Sequence, residues 1–120
     1  MSNIKIKRVY ETAQETDGYR VLVDRLWPRG MKKEVAKIDC WAKEITPSTE
    51  LRKDYHEGRI LWEEFVQRYQ GELASTTVLD DLICELVDRE VVTLVFAGKN
   101  VEQNHVMVLL QVMQEKMEKQ

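Results

Sequence analysis

Apolar and polar residues alternate from Ile4 to Tyr10, with Ile4, Ile6, Arg8 and Tyr10 on one side and Lys5, Lys7 and Val9 on the other. This period of two, with β-branched residues, predicts a first strand near a sheet edge. The polar run Glu11 to Asp17 ends in Asp17-Gly18, a turn signal, and a second strand is predicted over Tyr19 to Asp24. Its centre, Val21-Leu22-Val23, is unbroken apolar sequence, and the third predicted strand, Val91 to Ala97, is likewise continuous rather than alternating. Continuous rather than alternating runs are expected of central strands covered on both faces.

Helical spacing fills the interval between the second and third strands. Lys32 to Ile45 is charged, with apolar positions at Val35, Ala36, Ile38 and Trp41, and is read as helical, with a break near Asp39 that would cap a second short helix. Thr46-Pro47-Ser48 marks a helix start, capped by either Thr46 or Ser48, and Gly58 ends that helix. Trp62, Phe65, Val66, Tyr69 and Leu73 step at the 3.6-residue period, and Leu79, Leu82, Ile83, Leu86 and Val87 repeat the stripe. After the third strand, Asn100 is placed to cap a last helix, with Gln103 reaching back as in a capping box and Val106, Leu109, Leu110, Met113 and Met117 on the buried side. The order strand, strand, helices, strand, helix predicts an α/β fold, a small, mainly parallel sheet of three or four strands covered by helices. The first connection, about nine residues, fits a long hairpin or a short crossover.

The 120 residues, 43% hydrophobic and 32% charged, fit one domain over positions 1–120 and argue against intrinsic disorder. The uncharged stretches are far shorter than a membrane span, and charges interrupt the N-terminus where a secretory signal needs its apolar core, so a cytoplasmic protein is expected. Cys40 and Cys84 lie far apart, as do His56 and His105, so neither a disulfide scaffold nor a metal site is expected. No cofactor motif is present. The net charge of -3 and the absence of a known nucleic-acid module argue against nucleic acid as partner, although Arg25, Arg29, Lys32 and Lys33 form a basic group.

Chemistry is expected beyond the carboxyl ends of the strands, where loops of open α/β sheets meet helix N-termini. Asp24-Arg25-Leu26-Trp27-Pro28-Arg29-Gly30 leaves the second strand with a carboxylate, two guanidiniums and an indole, a composition suited either to holding an anion or to packing and internal ion pairing. The stretch from Gly98 and Lys99 to Asn104 and His105 leads into the last helix, and His105 there is a candidate acid or base, or a histidine that hydrogen-bonds the neighbouring loop. Its pKa is expected to be lowered by the positive helix end. Arg52 and His56, four apart on one helix face, could line the same pocket or be solvated, whereas Glu44, Glu63 and Glu64 read as surface charge.

Lys7-Arg8-Val9-Tyr10, Gly18 through Gly30 with its Asp-Arg-Leu-Trp-Pro-Arg-Gly run, Trp41-Ala42-Lys43-Glu44, Pro47 through Lys53, Trp62-Glu63-Glu64-Phe65 with Tyr69, and Val92 through His105 together resemble the bacterial YeaO-type family, a domain of unknown function. The resemblance runs from about Lys5 to Leu110. It implies that Asp24, Arg25, Trp27, Arg29, Arg52, Lys99, Asn104 and His105 are the distinctive polar and aromatic positions. Asn100 replaces a common Asp, and Gln103 a frequent His. A longer, related branch resembles this chain but bears cysteines at the positions of Phe96 and Asn104 and a His-Arg pair at those of His105 and Val106, so thiol or metal chemistry of that branch is not expected here.

Three readings follow. A cleft could bind a small phosphate- or carboxylate-bearing molecule, with Arg25, Trp27, Arg29, Arg52, Lys99 and Asn104 as ligand contacts and His105 and Asp24 as acid-base candidates. A protein partner could instead dock on Trp27, Trp41 and the neighbouring arginines. Alternatively, the charged set is a buried network that fixes loop geometry.

Overall fold

The computed structural model describes residues 3–100 and 103–118. Four strands, β1 (Asn3–Arg8), β2 (Tyr19–Leu22), β3 (Cys40–Trp41) and β4 (Val91–Phe96), form one sheet in the order β1-β4-β2-β3, with every pairing parallel. Leu94 of β4 faces Ile6 on one side and Val21 on the other, and Val21 in turn faces Cys40. The two continuous apolar runs are thus the central strands, and the alternating one is an edge. Because β4 lies between β1 and β2, their connection is a crossover rather than a hairpin; it contains a 3₁₀ turn at Glu15–Asp17.

Side chains alternate across the sheet and its two faces differ in kind. Val21, Val23, Val92, Leu94 and Phe96 join the main core, which is completed by α2 (Thr49–His56), α3 (Trp62–Ala74), α4 (Val78–Leu86) and α5 (His105–Glu118). Leu51, Leu79, Ile83, Leu109 and Met113 are fully buried there, each side chain stabilising the fold by roughly 1.5–3 kcal/mol. The opposite face carries a smaller cluster of Val9, Ala36 and Val95, packed by Trp27, Met31, Ile38 and Ala97. On that face Arg20 and Thr93 are also buried: Arg20 donates to Asp17 Oδ2 at 2.6 Å and to the Ala36 carbonyl, and the Thr93 hydroxyl to the Asp17 carbonyl. Both faces of the central strands are covered, but one cover is partly a polar network.

Lys32 to Ile45 departs from its helical reading. Only α1 (Lys33–Ala36) is α-helical; Lys37 stops it in the left-handed conformation at φ 49°, β3 follows, and Lys43–Ile45 is a 3₁₀ turn. Asp39 does not cap a helix: its carboxylate accepts the Arg20 backbone N–H beside the sheet. The Trp41 indole, read as part of a helical stripe, donates instead to the Asp24 carbonyl at 2.8 Å, fastening β3 beside β2. Ser48, rather than Thr46, caps α2 by accepting from Leu51 N–H, and Glu72 of α3 holds the Ser48 hydroxyl and N–H. The last helix begins at His105 rather than just after Asn100. Asn100 Oδ1 does accept the Gln103 N–H, but the Gln103 side chain meets the Tyr55 hydroxyl, so no capping box forms, and the intervening Val101 and Glu102 lie outside the described residues. Among the described residues no helix is long and apolar enough to cross a membrane.

Candidate functional site

The carboxyl ends of β2 and β4 lie side by side, and the chain leaving each builds one wall of a cavity of about 390 Å³. From β2 come Asp24 through Arg29, and from the far side of β4 come Ala97, Gly98, Asn104 and His105. α2 adds Arg52 and His56, with Thr46 and Pro47 just before it, and Tyr10 closes the side next to β1. Seven of the eight positions singled out in the sequence therefore converge. Lys99 is exposed and does not line the cavity.

Two kinds of residue stand in this wall. Asp24 and His105 are tied to the backbone: Asp24 Oδ2 accepts the Ala97 N–H at 2.8 Å, and His105 Nε2 donates to the Val23 carbonyl at 2.6 Å while lying 3.5 Å from Asp24 Oδ1. A carbonyl can only accept, so Nε2 carries the hydrogen of the imidazole. Burial lowers the His105 pKa, with Arg52 adding to it against the opposing pull of the Val23 carbonyl and Asp24; the helix end invoked from sequence is not needed. Burial likewise raises the Asp24 pKa, although His105, the Ala97 N–H and Arg52 oppose it. The Tyr69 ring packs edge-on against His105 and its hydroxyl donates to the Ile45 carbonyl, so the imidazole is held from the core side.

The guanidiniums are different. Arg25 and Arg29 are exposed and Arg52 is half-buried, and among the described residues none of the three pairs with a carboxylate. Arg25 donates to the Pro47 carbonyl at 3.3 Å, and the side chains of Arg29 and Arg52 make no hydrogen bond among the described residues. Trp27 is fixed by its indole N–H on the Met31 carbonyl and by an edge-on contact with Trp41 at 5.4 Å between centroids. Both tryptophans are half-buried, so neither forms a flat exposed apolar face; Leu26, 71% exposed, is the prominent apolar side chain of that loop.

Two positioning residues escaped the reading from sequence. Arg8 donates to the carbonyls of Ala97 and Gly98, both at 3.0 Å, holding the chain that leaves β4, and the Tyr10 hydroxyl donates to the Arg29 carbonyl. The sequence signals for them are their place at the carboxyl end of the predicted edge strand and the Lys7-Arg8-Val9-Tyr10 motif of the family resemblance. Among the described residues no group of three or more His, Cys, Asp or Glu side chains could hold a metal ion.

The fold and site define an all-parallel α/β domain with an arginine-lined cavity at the carboxyl edge of its central strands. The chain belongs to the family described as the inactive DUF488-N3 subclade, whose model matches residues 3–120. It is 47% identical over 107 residues to the uncharacterised protein YeaO of Escherichia coli, covering 89% of this chain and 93% of that relative. It is also 41% identical over 112 residues to the uncharacterised proteins Mb3100c of Mycobacterium bovis and Rv3073c of Mycobacterium tuberculosis, covering 93% of this chain and 94% of each. No solved structure matches.

Proposed function

We propose that the protein binds a small anionic molecule in the cavity between the β2 and β4 loops, without turning it over. The observation that carries this reading is the trio Arg25, Arg29 and Arg52, three guanidiniums lining one cavity against, among the described residues, the single carboxylate of Asp24, in a chain whose net charge is -3. Cations without carboxylate partners in a concave site are favourable for phosphate or carboxylate oxygens, each charge-assisted hydrogen bond contributing about 1.5–3 kcal/mol. Asp24 and His105 hold the walls together through the backbone of Val23 and Ala97, which suits positioning better than proton transfer. The family's description as inactive supports binding over catalysis. The exposed Leu26 beside Arg25 favours one further reading, a protein partner seated over the cavity mouth.

Calorimetric titration with inorganic phosphate and citrate tests the proposal. Binding should weaken by roughly 10- to 150-fold in Arg52→Gln and in Arg29→Gln, the loss of one charge-assisted contact. It should also fall as salt rises. Absence of binding to any anion, or equal binding by the wild type and both variants, refutes it.

A further inference from the structure

The cavity floor carries two unspent hydrogen-bonding groups of opposite sense, one on Asp24 and one on Asn104. Asp24 Oδ2 is occupied by the Ala97 N–H, but Oδ1 makes no hydrogen bond among the described residues: His105 Nε2, 3.5 Å away, directs its hydrogen to the Val23 carbonyl. Asn104 Oδ1 is occupied by the Val106 N–H, which leaves the Asn104 Nδ2 group with no acceptor among the described residues. That group lies against Gly98, so closely that a Cβ built there would strike it. Since Ala97 and Gly98 are consecutive, the open acceptor of Asp24 and the open donor of Asn104 are brought to the same stretch of chain, and both residues line the cavity. A carboxylate beneath three guanidiniums repels a plain anion. It favours an anion that also offers a donor.

We propose, building on the anion reading above, that the ligand is a phosphorylated hydroxy compound of about sugar-phosphate size. Its phosphate lies among Arg25, Arg29 and Arg52; its hydroxyls donate to Asp24 Oδ1 and accept from Asn104 Nδ2. Three guanidiniums suit a dianionic group with three terminal oxygens better than one carboxylate, which a single guanidinium can saturate. A hydroxyl fits the floor better than an ammonium, because Arg52 is close enough to act electrostatically on both Asp24 and His105 and would repel a second cation. A cavity of about 390 Å³ accommodates a molecule of this size.

Titration of the intact chain with propyl phosphate, glycerol phosphate, a pentose phosphate, phosphoethanolamine and inorganic phosphate tests this. Glycerol phosphate and the pentose phosphate should bind about tenfold or more tightly than propyl phosphate, the effect of one added hydrogen bond. Phosphoethanolamine should gain nothing. Asp24→Asn retains an oxygen for the Ala97 N–H, and Gly98→Ala pushes the Asn104 amide aside; each should bring the hydroxyl preference towards one. Asp24→Asn should at the same time bind inorganic phosphate more tightly, because a repelling charge has gone, whereas a merely structural Asp24 would weaken every ligand alike. If Asp24→Asn does not fold, Gly98→Ala and the wild-type ratios decide the matter. Equal affinity for propyl and glycerol phosphates, preference for phosphoethanolamine, or retention of the hydroxyl preference in the variants overturns this inference and leaves the anion site standing. Failure of every phosphate to bind overturns both.

Discussion

Asp17→Ala should cost about 3–5 kcal/mol of stability, the penalty of leaving a buried charge without its partner. The Asp17 carboxylate accepts from Arg20 Nη1 at 2.6 Å, from Lys7 Nζ at 3.1 and 3.2 Å and from the Gln14 N–H at 3.0 Å. Arg20 is only 3% exposed, and its Nη2 already lacks a partner among the described residues, so truncating Asp17 leaves the guanidinium with one hydrogen bond among them, to the Ala36 carbonyl. At about 4 °C per kcal/mol for a chain of this size, the melting temperature should drop by about 12–20 °C. Urea unfolding followed by circular dichroism measures the loss. High salt should recover little of it, because buried pairs are poorly screened. Burial pushes the Asp17 pKa up, but the Gln14 N–H, Lys7 and Arg20 outweigh it and hold the carboxyl below its ordinary 3.8. Its stabilisation is therefore complete above the unfolded pKa and lost as pH falls through the folded one, so the variant should lose less stability than the wild type under acid. A cost below about 1 kcal/mol, or recovery by salt, would show that Arg20 is solvated in the folded chain and refute the reasoning. Phosphate binding should survive, since Asp17 precedes β2 and the cavity lies beyond the strand's other end.

Tyr69→Phe removes the 2.5 Å hydrogen bond to the Ile45 carbonyl and leaves that buried acceptor unpaired; calorimetric melting should register a loss of about 1–3 kcal/mol. Ser48→Ala deletes the cap of α2 and a partner of Glu72, and should cost about 1 kcal/mol in urea unfolding. His105 has a folded pKa below its ordinary 6.5, so the stability tied to its neutral form is present above that value and lost as pH falls through the folded one. The melting temperature of His105→Gln should consequently fall less than that of the wild type on acidification below 6.5, and parallel profiles would contradict the assignment of a buried neutral imidazole.

Sequence patterning located β1, β2 and β4 to within two residues, because a strand buried on both faces and a strand at an edge leave different signatures. It missed β3, and the cause is physical. Two residues cannot display a period, and Cys40 and Trp41 sit among charged neighbours whose spacing imitates a helix. What makes them a strand is long-range: the Ala42 N–H donates to the Leu22 carbonyl, and the Trp41 indole to that of Asp24. The polar network on the second sheet face was equally invisible, since Arg20 and Thr93 read locally as ordinary polar interruptions and acquire partners only when Asp17 is folded over them.

The candidate site was legible as two loops, because parallel topology brings carboxyl ends together whatever the side chains are. What the sequence could not separate was the division of labour among its charges. Asp24, Arg25, Arg29 and Arg52 look interchangeable as members of an ion-paired set, yet the carboxylate is committed to the Ala97 N–H and the three guanidiniums face the cavity without a carboxylate partner among the described residues. The buried charge pair considered for these loops is found instead at the far end of the sheet, in Asp17 and Arg20. That separation predicts different responses to the same kind of substitution: removing a carboxylate at Asp17 should strand a buried cation, whereas removing one at Asp24 should make a cavity already lined by three guanidiniums more positive still. Only in the second case should charge removal strengthen anion binding, because an amide at position 24 still offers an oxygen to the Ala97 N–H.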